Sequence, residues 1–149
     1  IYEGTDVMPW CPRCGTGLSE HEIATEGYQE IVHPGLYVKL PLDDRSGESL
    51  LVWTTTPWTL PSNLALAVGQ DIDYAIYQLG ERWVVLAESS AAAFERELEG
   101  TTRVGAAKGS QLSGRSYRPL FPFFEATEKA FRVLEADFVN TEEGTGIVH

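Results

Sequence analysis

A succession of short β-prone segments, separated by turn residues, occupies the chain from residue 28 to its end. β-Branched and aromatic residues recur in these segments, which are YQEIV, LYVKLPL, SLLVWTTT, LALAV, DYAIYQL, RWVVLAE, AFRVLEADFV and TGIVH. DYAIYQL and RWVVLAE flank Gly80 and Glu81, which predicts a hairpin. Many short strands with few helices predict a mainly β fold of the α+β class, built as a distorted barrel with peripheral helices.

One segment has helical periodicity. The sequence SSAAAFERELEG places Phe94 and Leu98 on one face of a helix predicted over Ala91–Leu98. Ser89 or Ser90 has the side chain to cap its first turn. We expect this helix to lie on the outside of the β domain.

The first 27 residues have a different composition from the rest. They are rich in Gly, Pro and Glu, show little periodicity, and are interpreted as a stem before a domain over residues 28–149. The total of 149 residues suits one domain, and 43% hydrophobic residues can form a core. The chain starts without Met and stops on an apolar run, so we interpret both ends as cuts through a longer protein.

Charge and hydropathy exclude several classes of function. The formal net charge of −11 argues against a non-specific nucleic-acid binder, which needs a basic stripe to meet phosphates. This net charge remains compatible with a small pocket that takes the end of a nucleic acid. No apolar run approaches the roughly 18 residues of a membrane span, and no signal peptide is recognised. A cytoplasmic location is expected.

The segment WTTTPWT is the first candidate for chemistry. Side chains alternate along a strand, so Thr54 and Thr56 should point to one side. Pro57 ends the strand because it has no N–H to donate. Two uncharged hydroxyls at a strand end can hold a water or a developing oxyanion. The alternative is that threonine is simply a favourable strand residue here.

Two other segments contain residues with chemical potential. CPRCG places Cys11 and Cys14 at zinc-knuckle spacing, but a structural zinc needs four ligands and no second pair follows. His21 and His33 are not persuasively spaced to complete the set, so the pair is interpreted as half a zinc site. NTEEGTGIVH places two glycines shortly before His149. The glycines allow the backbone to approach a neighbouring group closely, and the imidazole of His149 can form a pocket wall.

WTTTPWTLPSN together with GTGIVH closely resembles the editing domain inserted in the catalytic domain of isoleucyl-tRNA synthetases. The stem MPWCPRCGTGLSEHEI and the segment GRSYRPLFPFF…FRVLEADFV also fit that family, so the resemblance covers essentially the whole chain. It implies the distorted β-barrel of the isoleucyl, valyl and leucyl editing domains. It also implies hydrolysis of valine that was wrongly attached to isoleucine tRNA.

The resemblance assigns roles by position. It implies a catalytic set of Thr54, Thr55, Thr56 and His149. It implies a substrate-binding set of Trp53, Trp58, Thr59 and Asn63. A water would attack the aminoacyl ester beside the threonines, while the ring of His149 would close the far wall and exclude isoleucine.

The resemblance also implies partners and metals. The partners are the aminoacylated 3′ end of isoleucine tRNA and the rest of the synthetase chain. Editing needs no cofactor; zinc is expected only in the intact parent enzyme, with Cys11 and Cys14 as half its site, and ATP and magnesium only at the parent's synthetic site. The family's ammonium-holding aspartate follows the position matched by His149 and is not among the 149 residues.

Two alternatives to isoleucyl editing remain open. The chain could be a non-catalytic folded fragment with an incomplete site. It could also be the editing domain of a valyl-tRNA synthetase, against which the apolar Trp58 argues, since that family has a charged motif there.

Overall fold

The computed structural model describes residues 3–5 and 7–149. It divides the chain into two compact units, one ending at His33 and the other beginning at Pro34. The predicted boundary between residues 27 and 28 lies six residues before this division. No helix in the described part of the chain has the length and apolarity to cross a membrane.

The first unit contains a small hairpin and a short helix. Strands β1 (Trp10–Cys11) and β2 (Thr16–Gly17) pair antiparallel around the CPRCG turn. A π-helix, Glu22–Gly27, follows. The YQEIV segment is not a strand, contrary to prediction: it has no pairing partner, and Tyr28, Ile31 and Val32 are exposed.

The second unit is mainly β, which confirms the predicted class. Its larger sheet has five strands in the spatial order β3 (Leu36–Pro41), β4 (Glu48–Thr54), β7 (Arg82–Ala87), β6 (Asp73–Leu79) and β8 (Thr102–Lys108). Only the β4–β7 pair is parallel. The predicted hairpin is the β6–β7 pair, joined at Gly80–Glu81.

A second sheet of three strands carries the end of the chain. Its order is β10 (Ile147–Val148), β5 (Ala65–Val68) and β9 (Arg132–Glu135). β5 runs parallel to β9 and antiparallel to β10. Side chains of both sheets, including Leu50, Val52, Leu66 and Val133, form one core. The described strands thus pair into two sheets that share a core, and their pairing does not close into a complete barrel.

The predicted helix over Ala91–Leu98 is wrong in type and extent. The segment forms a 3-10 helix, Glu88–Phe94, that starts directly after β7, and turns continue from there to Gly100. Its predicted face is correct, because Phe94 and Leu98 pack together on the second face of the larger sheet. Ser89 and Ser90, which were expected to cap the helix, lie inside it, because β7 leads into it without a loop.

Residues 102–124 contain one edge strand and two short helical turns. β8 occupies Thr102–Lys108 at the edge of the larger sheet, and a single α-helical turn, Gly109–Leu112, follows it. Pairing with β6 supplies the order that the glycine-rich sequence lacks by itself. A further 3-10 turn, Pro122–Phe124, lies beyond them.

A buried ionic cluster fixes the start of β4. The Glu48 side chain is 1% exposed and accepts a hydrogen bond from Arg115 Nη1 at 2.8 Å. Arg45 makes a close ion pair with its other oxygen at 2.8 Å. Arg115 also holds Asp44 in a two-pronged contact, which raises the pKa of the guanidinium and lowers that of the Asp44 carboxyl. The far end of the same strand reaches the site described next.

Candidate hydrolytic pocket

A cavity of about 630 Å³ opens where β4 ends and β10 begins. Two chain segments form its wall. The first is Trp53, Thr54, Thr55 and Thr56, and the second is Phe138, Asn140 and residues 142–149. Within the described chain its lining contains two carboxylates, Glu142 and Glu143, and no lysine or arginine. The cavity therefore suits a neutral or cationic group and disfavours an anionic one.

The threonines of the first segment are joined by hydrogen bonds. The hydroxyl oxygens of Thr54 and Thr56 are 3.3 Å apart, and the amide of Thr56 donates to Thr54 Oγ1 at 3.1 Å. Thr54 is buried, whereas Thr55 and Thr56 are exposed to the cavity side of the strand end. Thr54 and Thr56 therefore meet on one side as predicted, but β4 ends at Thr54 and Thr55 also lines the cavity, so the bend after the strand brings them together and not strand alternation.

His149 completes this arrangement from the other segment. Its Nε2 lies 2.8 Å from Thr54 Oγ1, a contact in which either atom can donate. Burial lowers the pKa of the imidazole, because the low dielectric disfavours its charged form. At neutral pH the ring is therefore uncharged, and a continuous Thr56–Thr54–His149 hydrogen-bonded chain lines the cavity. None of these three side chains is a strong base.

Two glycines set the backbone of the second segment. Gly144 and Gly146 both have φ of +70°, a region that disfavours other residues. A Cβ at Gly144 would lie 2.7 Å from Trp53 Cε3, and a Cβ at Gly146 would lie 2.6 Å from the Cβ of Ala87. These are the close approaches that the sequence predicted without naming the partners. Packing against the indole and against β7 fixes where the segment runs.

Hydrogen bonds anchor the same segment to the larger sheet. The buried hydroxyl of Tyr74 donates to the carbonyl of Gly146 at 2.7 Å and accepts from the amide of Gly69 at 3.1 Å. Burial raises the pKa of Tyr74 to about 12, so the phenol stays protonated and keeps donating. The amide of Ala87 donates to the carbonyl of Thr145 at 2.9 Å. His149 is thus held by a segment tied to β6 and β7.

Three residues of the predicted substrate-binding set do not line the cavity. Thr59 reaches it only indirectly, through a 3.3 Å contact with Thr56 Oγ1. Trp58 is exposed on the 3-10 helix Pro57–Ser62. Asn63 supports the fold: its amide donates to the carbonyl of Ala65, and it accepts a hydrogen bond from the buried hydroxyl of Tyr117.

Several lining residues were not predicted from the sequence. They are Phe138, Asn140, Glu142, Glu143, Gly144, Thr145, Gly146, Ile147 and Val148. All of them except Phe138 belong to NTEEGTGIVH, the segment whose glycines indicate a close backbone approach. The sequence does not indicate the role of Tyr74, because a tyrosine within a strand cannot be distinguished from other core residues by its sequence pattern.

The two cysteines lie together in the β1–β2 turn. The amide of Cys14 donates to Cys11 Sγ at 3.4 Å, and this bond is the main cause that lowers the pKa of the Cys11 thiol. Both cysteines are free thiols. The described residues contain no group of three or more His, Cys, Asp or Glu side chains that could hold a metal. Two thiols alone do not fit a four-ligand zinc site.

Comparison with known proteins shows that this chain is similar to a segment of isoleucine–tRNA ligases. It is 45% identical over 156 residues to isoleucine–tRNA ligase of Thermus thermophilus, covering 100% of this chain and 14% of that protein. It is 47% identical over 157 residues to isoleucine–tRNA ligase of Mycobacterium tuberculosis, covering 99% of this chain and 15% of that protein. The chain thus spans about one seventh of the length of the relatives that it matches. No protein-family model matches it.

Solved structures show the same fold at lower sequence identity. The crystal structure of GlLeuRS-CP1 superposes with a TM-score of 0.63 at 20% identity, over 77% of this chain and 53% of that one. The crystal structure of the P.knowlesi cytosolic leucyl-tRNA synthetase editing domain superposes with a TM-score of 0.62 at 14% identity, over 82% of this chain and 59% of that one. Over its whole length the chain is therefore homologous to a segment of isoleucyl-tRNA synthetases, and this segment has the fold of a synthetase editing domain.

Proposed function

We propose that this chain is the hydrolytic editing pocket of an isoleucyl-tRNA synthetase. It removes valine from mischarged isoleucine tRNA by hydrolysing the ester at the terminal adenosine, in the cytoplasm and joined to the rest of the synthetase. The hydrogen-bonded chain of Thr56, Thr54 and His149 at the cavity wall carries the proposal. The whole-length match to isoleucine–tRNA ligases supports it and favours isoleucine over valine synthetases.

The pocket chemistry fits hydrolysis by positioning. Hydroxyls can both donate and accept, so Thr54 and Thr56 can orient an attacking water and stabilise the oxyanion without adding a charge. Orientation alone contributes a large share of a rate enhancement. The imidazole of His149 is in its neutral, proton-accepting form, but burial lowers its pKa and so weakens it as a base; in this scheme the main contribution is therefore the positioning of the water by the hydroxyls. The substrate's own ribose hydroxyl could assist.

The need for such a pocket follows from the size of the substrates. Isoleucine and valine differ by one methylene, which gives only ~1–3 kcal/mol of discrimination at a synthetic site, and this synthetase is itself the standard example of that limit. A second site that admits only the smaller side chain corrects the remaining errors. In this proposal the ring of His149, fixed to Thr54, limits the depth available to the side chain.

A segment exchange tests the proposal. The aligned segment of the Thermus thermophilus isoleucine–tRNA ligase would be replaced by this chain, giving a grafted synthetase. We expect the grafted synthetase to hydrolyse isoleucine tRNA that carries valine and to spare isoleucine tRNA that carries isoleucine. A matched graft with Thr56→Ala serves as the control. The proposal would be contradicted if the graft aminoacylates normally but hydrolyses valine-charged tRNA no faster than the background. That result would show that the chain folds in the synthetase without editing.

The 149-residue chain alone should hydrolyse valyl-tRNA poorly or not at all. Its net charge of −11 gives little affinity for phosphates, so it captures free tRNA weakly. By resemblance, the residue that holds the substrate's ammonium group is also not among the 149. Steady-state deacylation by the chain and by the grafted synthetase would be compared at equal concentrations. Equal rates would contradict this expectation.

Acid should lower the free energy of unfolding through protonation of His149. Its pKa is lowered on folding, so the unfolded chain binds the proton more tightly and the stabilising contribution is lost as the pH falls from the ordinary value of 6.5 through the lowered pKa. Above pH 6.5 that contribution is fully present. Urea unfolding at pH 7.5 and 5.5 should show a larger loss for the wild type than for His149→Gln, whose amide does not titrate. Equal losses of unfolding free energy in the two proteins would mean that burial does not lower the pKa of this imidazole.

A further inference from the structure

Tyr74 is a fully buried residue of β6 whose hydroxyl joins two other strands. The hydroxyl donates to the carbonyl of Gly146 at 2.7 Å and accepts from the amide of Gly69 at 3.1 Å. Gly69 directly follows β5, and Gly146 directly precedes β10. The phenol therefore connects the end of β5 to the start of the strand that leads to His149.

The Tyr74 hydroxyl takes the place of a rung in the β5–β10 ladder. Val68 lies opposite Ile147 in this antiparallel pair, so one further rung would set Gly69 opposite Gly146. In such a rung the amide of one residue bonds directly to the carbonyl of the other. Here the hydroxyl stands between these two groups and bonds to both. A bridge of two hydrogen bonds therefore replaces one, and it keeps the two strand ends apart.

The surroundings fix this bridge. Gly69 and Gly146 are both buried, so neither backbone group can bond to bulk water instead. A Cβ at Gly69 would lie 2.4 Å from Ile72 Cδ1, and a Cβ at Gly146 would lie 2.6 Å from the Cβ of Ala87. Burial also raises the pKa of Tyr74 to about 12, so at neutral pH the phenol keeps the proton that it donates.

The start of β10 governs the position of the cavity wall. β10 is two residues long, and His149 follows it directly, with its Nε2 2.8 Å from Thr54 Oγ1. A displacement of Gly146 is therefore passed along a short strand to the imidazole. Resting on the proposed function, we propose that Tyr74 is a positioning residue for specificity, whose hydroxyl bridge sets the depth of the cavity through His149.

Tyr74→Phe removes the bridge and keeps the aromatic ring in the core. The amide of Gly69 and the carbonyl of Gly146 then lose the partner that they share. They regain a partner only if the two strand ends move toward each other, and His149 moves with β10. Exclusion of one methylene needs a rigid and closely packed wall. We therefore expect this variant to hydrolyse isoleucyl-tRNA faster relative to valyl-tRNA.

Tyr117 provides a matched control. It is also buried, at 1% exposure, and its hydroxyl also donates a hydrogen bond, to Asn63 Oδ1. Neither of these two residues lines the cavity, and their bond does not hold the segment that carries His149. Tyr117→Phe should therefore leave the ratio of valyl- to isoleucyl-tRNA hydrolysis unchanged.

The test uses the grafted synthetase with Tyr74→Phe, Tyr117→Phe, His149→Ala, and Tyr74→Phe combined with His149→Ala. Single-turnover deacylation of isoleucine tRNA charged with either amino acid gives the hydrolysis ratio of each enzyme. Aminoacylation with isoleucine checks that each enzyme is folded. We expect Tyr74→Phe to lower the ratio about 2- to 10-fold, the range for the loss of one ordinary hydrogen bond.

The combined variant tests whether Tyr74 acts through His149. If it does, Tyr74→Phe changes the ratio no further in an enzyme that already carries His149→Ala, because the wall that it positions is gone. An equal drop of the ratio in both backgrounds would show a general loosening of the pocket, and this result would overturn the assignment.

Three further results would overturn it. In the first, Tyr74→Phe aminoacylates normally and keeps the hydrolysis ratio of the unsubstituted graft. In the second, Tyr117→Phe lowers the ratio as much as Tyr74→Phe does. In the third, Tyr74→Phe no longer aminoacylates, which would show that the hydroxyl serves folding. An unsubstituted graft that leaves valyl-tRNA intact removes the proposed function and this role with it, and that enzyme alone reveals it, so the two failures are distinguishable.

Discussion

Replacing His149 by alanine should make the grafted synthetase hydrolyse correctly charged isoleucyl-tRNA. The ring occupies the cavity wall 2.8 Å from Thr54 Oγ1, and a wall that excludes one methylene must be rigid and closely packed. Forcing a methylene against such a wall costs roughly 1–3 kcal/mol, so removing the ring should raise isoleucyl-tRNA hydrolysis by about 5- to 150-fold. Single-turnover deacylation of isoleucyl-tRNA by both enzymes measures it.

Valyl-tRNA separates the steric role of His149 from a chemical one. In the proposed mechanism the Thr56 hydroxyl acts on the reacting water, so Thr56→Ala should reduce valine removal more than His149→Ala does. His149→Ala should still cost some of this activity, because it also removes the partner of Thr54. If His149→Ala spares isoleucyl-tRNA and loses valine hydrolysis entirely, the imidazole takes part in the chemistry and the steric role is wrong.

Arg115→Ala should destabilise the chain by about 3 kcal/mol, the lower end of the range for breaking a buried ion pair. It leaves the carboxylate of Glu48, 1% exposed, with only Arg45 as a charged partner. The Asp44 contact is lost in the same step. Urea unfolding followed by tryptophan fluorescence gives the free energy of unfolding.

A surface pair provides the control for Arg115. Arg103 and Glu88 are also 2.8 Å apart, but their side chains are 47% and 46% exposed, so Arg103→Ala should cost only about 0–1 kcal/mol. Equal losses for the two variants would show that burial of Glu48 does not govern the stability of this cluster. A small loss for Arg115→Ala alone would mean that Arg45 suffices to compensate the carboxylate.

Prediction of the fold succeeded where a signal was local. The β6–β7 hairpin could be predicted because two β-prone runs flank a glycine-containing turn. It failed where pairing decides the structure: YQEIV has strand composition but no partner, whereas the glycine-containing β8 is a strand because β6 pairs with it. The helical periodicity of Ala91–Leu98 located a buried face correctly, but the direct exit from β7 produced a 3-10 helix.

The candidate site shows the same division. The sequence predicted correctly that Thr54 and Thr56 share a side, but it placed the strand end at Pro57, whereas β4 ends at Thr54; the resemblance singled out His149. Neither the sequence nor the resemblance indicated that Tyr74 holds Gly146, or that Trp58 and Asn63 stay away from the cavity wall.

The sequence by itself therefore determined the mainly β class, the strand that ends in threonines and the family to which the segment is homologous. The class and the strand depend on residue types at short spacing, whereas the family came from the resemblance of quoted motifs such as WTTTPWTLPSN and GTGIVH. Only the tertiary structure decided that residues 95 positions apart, Thr54 and His149, share a hydrogen bond. That contact requires β10 to pair with β5 and two left-handed glycines to pack against Trp53 and Ala87. Such long-range pairing depends on the whole core, and no short stretch of the sequence encodes it.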